Sequence, residues 1–169
     1  MDLYTAINTR RSVRSYTDET VSEEDIRILL EAAMAAPSAG NAQPWHFVVI
    51  DDKSLLEQVP AINPYASMAP KAPLGILVCA DKTAEKFPGF WPQDCAAAVQ
   101  NMLLAVVERG LGAVWTGIYP SEERCENFAK LFELPHYVVA MGLIVIGHPK
   151  EEQKPLDRFS TQKIHRNRW

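Results

Sequence analysis

Three runs of β-forming residues, WHFVVI at 45–50, LGILVCA at 74–80 and YVVAMGLIVI at 137–146, constrain this chain more than any other feature. Each is bounded by turn residues and is too apolar to be left in water, so they are predicted to be strands buried under other elements. The last is the most hydrophobic, yet it falls far short of the roughly 18 residues that span a bilayer. Helical spacing supplies the cover. Asp2 can cap a short helix carrying Leu3, Ala6 and Ile7. Ser22, followed by Glu23, Glu24 and Asp25, marks a second start, and Ile26, Leu29, Leu30, Ala33 and Met34 form its apolar face until Pro37. A short helix is predicted over 54–59 and a long Ala-rich central one over 94–109, where Ala98, Met102, Ala105 and Val106 share a face. Ser121 opens another that reaches Phe132, and AVWTG at 113–117 reads as a further brief strand. Because helices and strands alternate, the residues alone suggest a parallel sheet.

The 169 residues, 47% hydrophobic and 22% charged, suit a single domain over 1–169. After Pro149 the chain becomes charged and loses its period, so 150–169 is expected to be a tail that packs elsewhere, on a second subunit, through Trp169. Seventeen Lys and Arg against 21 Asp and Glu leave a net charge of -4, which argues against a nucleic-acid binder although both chain ends are basic. Cys79, Cys95 and Cys125 form no CxxC and cannot all pair with one another, so neither a disulfide framework nor a zinc knuckle is expected. The opening MDLYTAINTRRS has no apolar signal core. A reducing cytoplasm, with no membrane insertion, is the expected setting.

Several chemistries have no motif here. HExxH, GxSxG and GxxxxGK[ST] are missing. GLIVIGH at 142–148 keeps the glycine spacing of a phosphate loop but has His148 where the lysine belongs. Gly110-Leu111-Gly112 begins like a dinucleotide fingerprint, but Trp115 replaces the third glycine and the segment follows a helix rather than a strand. His46, His136, His148 and His165 lie far apart without carboxylates at ligand spacing, so no metal is expected.

Three segments do carry chemistry. RRSVR at 10–14 sets three guanidinium groups and a hydroxyl beside a helix end, a density suited to a phosphate. PSAGNAQPW at 37–45 combines small residues, which permit close backbone approach, with the directional groups of Ser38, Asn41 and Gln43. GLGAVWTG at 110–117 ends a helix at glycines and starts a strand whose amides near Thr116 and Gly117 can donate to a heterocycle.

Together with WPQDCAAAVQNMLLAVVERGLGAVWTGIYP and the basic LDRF of the tail, these segments resemble the FMN-dependent nitroreductase family, in order and across nearly the whole chain. The resemblance implies an α+β sandwich with a mostly antiparallel sheet flanked by helices, and a homodimer with the central helix and the tail at its interface. It implies FMN as cofactor, NADH or NADPH as reductant, and a small nitroaromatic or quinone-like acceptor served in a ping-pong reaction. By resemblance, Arg10 and Ser12 contact the phosphate and ribityl chain within RRSVR, which also includes Arg11. Arg14 faces the flavin N1 and O2 edge, where its charge would tune the ring, and Arg158 closes the phosphate site from the tail. Pro37, Ser38 and Asn41, assisted by Gln43, would reach the flavin across the dimer. Asn63 would face the flavin, and Thr116 with Gly117 would supply main-chain donors at N5 and O4, although many relatives have Glu-Gly there. Other flavin-dependent reactions, such as dehalogenation or flavin degradation, remain open, as does a non-catalytic flavin-binding role.

Overall fold

The computed structural model describes residues 1–169. Its helices are α1 (Leu3–Thr9), α2 (Glu23–Met34), α3 (Lys53–Leu56), α4 (Val59–Ile62), α5 (Trp91–Glu108) and α6 (Glu122–Leu131). Its strands are β1 (Trp45–Ile50), β2 (Leu74–Asp81), β3 (Gly112–Gly117) and β4 (Val138–Gly147). The caps follow the sequence. The Asp2 carboxylate accepts from Thr5 N–H, the Ser22 hydroxyl oxygen from Asp25 N–H and the Ser121 oxygen from Arg124 N–H. Helix α5 starts three residues before its predicted position, with Pro92 in the first turn, where no intrahelical N–H is needed. The helix expected over 54–59 is instead two short ones, α3 and α4. Pro60 cannot donate back to the preceding turn, and the helix restarts around it.

The sheet order is β1-β2-β4-β3 and every pairing is antiparallel, so the parallel sheet suggested by alternation is corrected. The antiparallel sheet implied by the resemblance is the one found. The alternation still reflects something physical. Strands β2 and β3 both oppose β4 and therefore run in the same direction, joined across the face by α5, and β4 inserts between them in reverse. Order along the chain records that a helix lies between two strands, but not which strand later fills the gap.

The two central strands are buried almost throughout, as their unbroken apolar runs require. One face of the sheet packs Ile76, Val78, Ala113, Ile144 and Ile146 against α2 and α5. The other packs Leu77, Val114, Leu143 and Val145 against Phe128 of α6 and the α3–α4 segment. Ala98, Met102 and Val106 of α5 are fully buried in the first cluster. A register shift opposite Val78 and Cys79 leaves Met141 as an extra residue in β4. Its carbonyl accepts from both Ile118 N–H and Tyr119 N–H, each at 3.2 Å, which draws the turn after β3 over the bulge.

The tail differs from the rest. Leu156, Phe159, Ile164 and Trp169 are exposed, Trp169 completely, and the Trp169 ring stacks only on His165, at 4.4 Å between centroids. Within one chain the tail covers no core. No helix is long and apolar enough to cross a membrane.

Candidate functional site

Residues 10–14 leave α1 in extended conformation and run along the outer edge of β3. Ser12 forms a parallel bridge with Ala113, and Val13 N–H donates to the Ala113 carbonyl at 2.9 Å. Val13 is buried, its side chain lying against Gly112, while Ser12 and Arg14 face solvent. The bridge also fixes the direction of the rest of the strand edge. Ala113 points its polar backbone groups away from β4, and with the two-residue alternation of a strand so do Trp115 and Gly117. The Gly117 carbonyl accordingly accepts from outside the sheet, from Asn63 Nδ2 at 3.3 Å and Arg124 Nη1 at 3.0 Å.

This alternation separates the two residues expected as main-chain donors. Thr116 is buried, its hydroxyl donates to the Leu143 carbonyl at 3.0 Å, and its backbone faces β4. The outward-facing backbone of this segment is that of Trp115 and Gly117, and the Thr116 side chain lies inside the sheet. Asn63 is also fully buried. Its amide N–H goes to Gly117 and its oxygen accepts from Tyr65 N–H at 3.2 Å, so it braces the edge rather than facing outward.

Two adjoining grooves follow β3 and α5. One, of about 240 Å³, is lined by Arg10, Ser12, Gln100, Leu103, Ala113 and Trp115. The next, of about 260 Å³, is lined by Pro92, Ala96, Trp115, Gly117, Tyr119 and Met141. Trp115 divides them, and Gly142 lets its indole lie flat on the sheet. A Cβ at Gly142 would collide with indole Nε1 and stand 2.9 Å from Cδ1. From Ala113 to Gly117 the strand covers roughly 13 Å at ~3.3 Å per residue.

The first groove gathers positive charge. Burial, and then the charges of Arg158 and Arg11, push the Arg10 guanidinium below its ordinary pKa. The ion pairs of the structure are Arg27–Glu31 and Arg109–Asp25, His148 stands 3.8 Å from Glu19, and none of these contacts neutralises Arg10, Arg11 or Arg158. Arg11 spends Nη1 on the Arg10 carbonyl, while its Nε and Nη2 are buried without a partner. With Arg10 it lines a cavity of about 260 Å³ that reaches the Glu151–Gln153 segment. Arg14 donates from Nη1 to the Ser12 carbonyl at 3.3 Å, which keeps its charge near the strand edge.

The loop after α2 is held separately. Gly40 lies in the left-handed region with φ 59°, as do Asn41 (54°) and Gln43 (48°). The Ser38 oxygen accepts from Gln43 N–H at 2.9 Å, and Asn41 Oδ1 accepts from Gln43 Nε2 at 2.9 Å. Ala39 N–H donates to Asp94 Oδ1 in the first turn of α5 at 2.9 Å, and Lys86 Nζ donates to the Gly40 carbonyl at 2.7 Å. Pro37 is exposed. The loop is anchored at Asp94, whereas Arg10 and Ser12 lie beside Gln100 and Leu103, roughly 9–13 Å further along the α5 axis. One chain brings Arg10 and Ser12 together in the groove adjoining that of Gly117, but it does not bring Ser38 and Asn41 to them. Asp94, Trp115 and Arg124 were not singled out from sequence. Only the position of Asp94 near a helix start signalled a local role.

These residues fit FMN. Unneutralised guanidinium groups and Ser12 suit a phosphate, the open edge at Gly117 supplies a backbone donor, and the Gly142 cradle flattens an aromatic wall between them.

The nitroreductase family profile matches residues 7–148. A protein of Methanothermobacter thermautotrophicus, provisionally named NADH dehydrogenase/NAD(P)H nitroreductase, is 47% identical over 100% of this chain and 88% of its own length. The crystal structure of a provisionally named NADH oxidase from Clostridium acetobutylicum superposes with a TM-score of 0.94 at 41% identity, covering 97% of this chain and 99% of its own. A Desulfovibrio desulfuricans protein described as a nitroreductase in complex with FMN superposes with a TM-score of 0.85 at 34% identity, covering 100% and 98%. With fold and sequence in agreement over nearly its full length, the chain belongs to the nitroreductase family.

Proposed function

We propose that the chain is an NAD(P)H-dependent flavin oxidoreductase that holds FMN along the outer edge of β3. The observation that carries this reading is that Arg10 and Ser12 line one groove along β3 and Gly117 lines the adjoining one, on either side of Trp115. The FMN complex of the Desulfovibrio relative and the reductant in the name of the Methanothermobacter relative support it.

When bound, FMN supplies the redox chemistry, accepting hydride from NADH or NADPH and passing it to a nitroaromatic or quinone-like acceptor in alternating half-reactions. The residues of the chain bind, orient and polarise. Arg10, Ser12 and Arg158 hold the phosphate, and Trp115 forms a wall along the groove. Gly117 N–H donates at the ring edge, directed away from β4 because the Thr116 carbonyl of the same peptide unit faces β4. Arg14 supplies positive charge that favours an anionic product over a neutral ring. A second copy packed along α5 would bring its own Pro37–Asn41 loop to these arginines, and the uncovered tail through Trp169 would dock on it.

The test is to load the purified protein with FMN or FAD, identify the flavin released on denaturation, and follow NADH and NADPH oxidation with and without a quinone or nitroaromatic. One FMN per chain and acceptor-dependent oxidation are expected. Preference for FAD, or FMN binding without turnover, would overturn the reading, the latter in favour of a non-catalytic flavin binder.

A further inference from the structure

The Gly117 carbonyl is the meeting point of two supports, and each belongs to a group whose chemistry extends beyond the strand. Asn63 ties Gly117 to the Pro64–Ala66 turn, which carries Tyr65. Tyr65 is 69% exposed. Arg124 reaches the same carbonyl from the first turn of α6, where its own N–H is held by the Ser121 oxygen at 3.3 Å. The Arg124 guanidinium carbon stands over the Tyr65 ring, 5.5 Å from its centroid. Arg124 is absent from the ion pairs of the structure, and its acidic neighbours Glu122 and Glu123 precede it directly, on other directions around the helix. It therefore spends one of its five N–H donors on Gly117 and none on a carboxylate.

We propose that Arg124 and Tyr65 form an acceptor subsite at the Gly117 edge that selects planar acceptors bearing a carboxylate. The proposal rests on the oxidoreductase reading above and names the class of substrate it would favour. The guanidinium is positioned on the carbonyl of the same residue whose N–H faces the strand edge, so the anionic group of a ligand and the redox centre are referred to one residue. Its remaining N–H groups can meet a carboxylate as a fork, and the exposed Tyr65 ring offers a surface for the ligand's plane. A neutral acceptor gains the ring surface but not the charge-assisted bonds.

The test compares benzoate with benzamide as non-reducible probes, by calorimetric titration of the FMN-loaded protein, and 4-nitrobenzoate with 4-nitrobenzamide in steady-state kcat/KM. Benzoate is expected to bind at least roughly tenfold more tightly than benzamide, the scale of one charge-assisted hydrogen bond. Arg124→Gln should bring that ratio, and the corresponding kcat/KM ratio, close to one. Arg124→Lys, which keeps the charge but not the fork, should fall between and decides the matter if Arg124→Gln does not fold. Equal binding of the two probes by the parent protein, or an unchanged ratio in the variants, overturns the proposal. An equal loss for both probes does so too, since it would make Arg124 only a brace for Gly117. Because the titration needs no turnover, a protein that binds FMN but oxidises no NAD(P)H fails the broader reading while the subsite is still decided.

Discussion

Asp94 Oδ1 accepts the backbone N–H of Ala39 at 2.9 Å, a single bond that fastens the loop following α2 to the start of α5. The carboxylate is buried and its other oxygen has no partner, so the bond is made where water does not compete for it. Asp94→Ala leaves the Ala39 N–H unpaired and should lower stability by about 1–3 kcal/mol in urea unfolding. Flavin retention should fall with it if the loop completes a partner's site. Asp94→Asn keeps an acceptor and should lose less.

Gly142→Ala tests the indole platform. The added Cβ meets the Trp115 ring from the neighbouring strand, and Trp115 must tilt off the sheet. A destabilisation of about 1–3 kcal/mol is expected from overpacking, with a shift in tryptophan emission and weaker FMN binding in titration. Normal emission and affinity would mean that the ring has room elsewhere.

Arg10 and Arg11 are adjacent and share the cavity towards Glu151, but only Arg10 also borders the groove with Ser12. Arg10→Ala should weaken FMN binding at least roughly tenfold, the scale of a charge-assisted bond, and Arg158→Ala should act in the same direction. Arg11→Ala should change FMN affinity less. Equal losses for Arg10→Ala and Arg11→Ala would assign the phosphate to both.

Arg14→Gln addresses redox tuning. Loss of the cation penalises a negative product more than a neutral ring, so the two-electron potential of bound FMN should drop. Reduction by NAD(P)H should slow while Arg10 and Arg158 retain the cofactor. Redox titration and stopped-flow reduction of FMN-saturated protein measure the two effects, and an unchanged potential removes Arg14 from this role.

Deleting residues 159–169 removes Phe159, Ile164 and Trp169, apolar side chains that cover nothing within one chain. If they dock on a second copy, sedimentation should show a weaker dimer and the truncated protein should lose FMN more readily. A truncated monomer with full FMN affinity would separate cofactor binding from assembly.

What the sequence by itself determined is local. The β-forming runs at 74–80 and 137–146 became β2 and β4, buried on both faces, because uninterrupted apolar side chains on a strand have no solvent-facing side. Asp2, Ser22 and Ser121 capped the helices they precede, since a cap needs only a short side chain and the amides that follow it. Tertiary structure decided strand direction, because inserting β4 between β2 and β3 is a long-range choice that α/β order does not encode. It also decided which neighbour faces outward. Thr116 and Gly117 are consecutive, yet the Ala113–Val13 hydrogen bond sets a phase that turns one into the sheet and the other to its edge. The partnerships of Asp94 with Ala39 and Arg124 with Gly117 join residues from separate elements, and only packing of the whole chain brings them together.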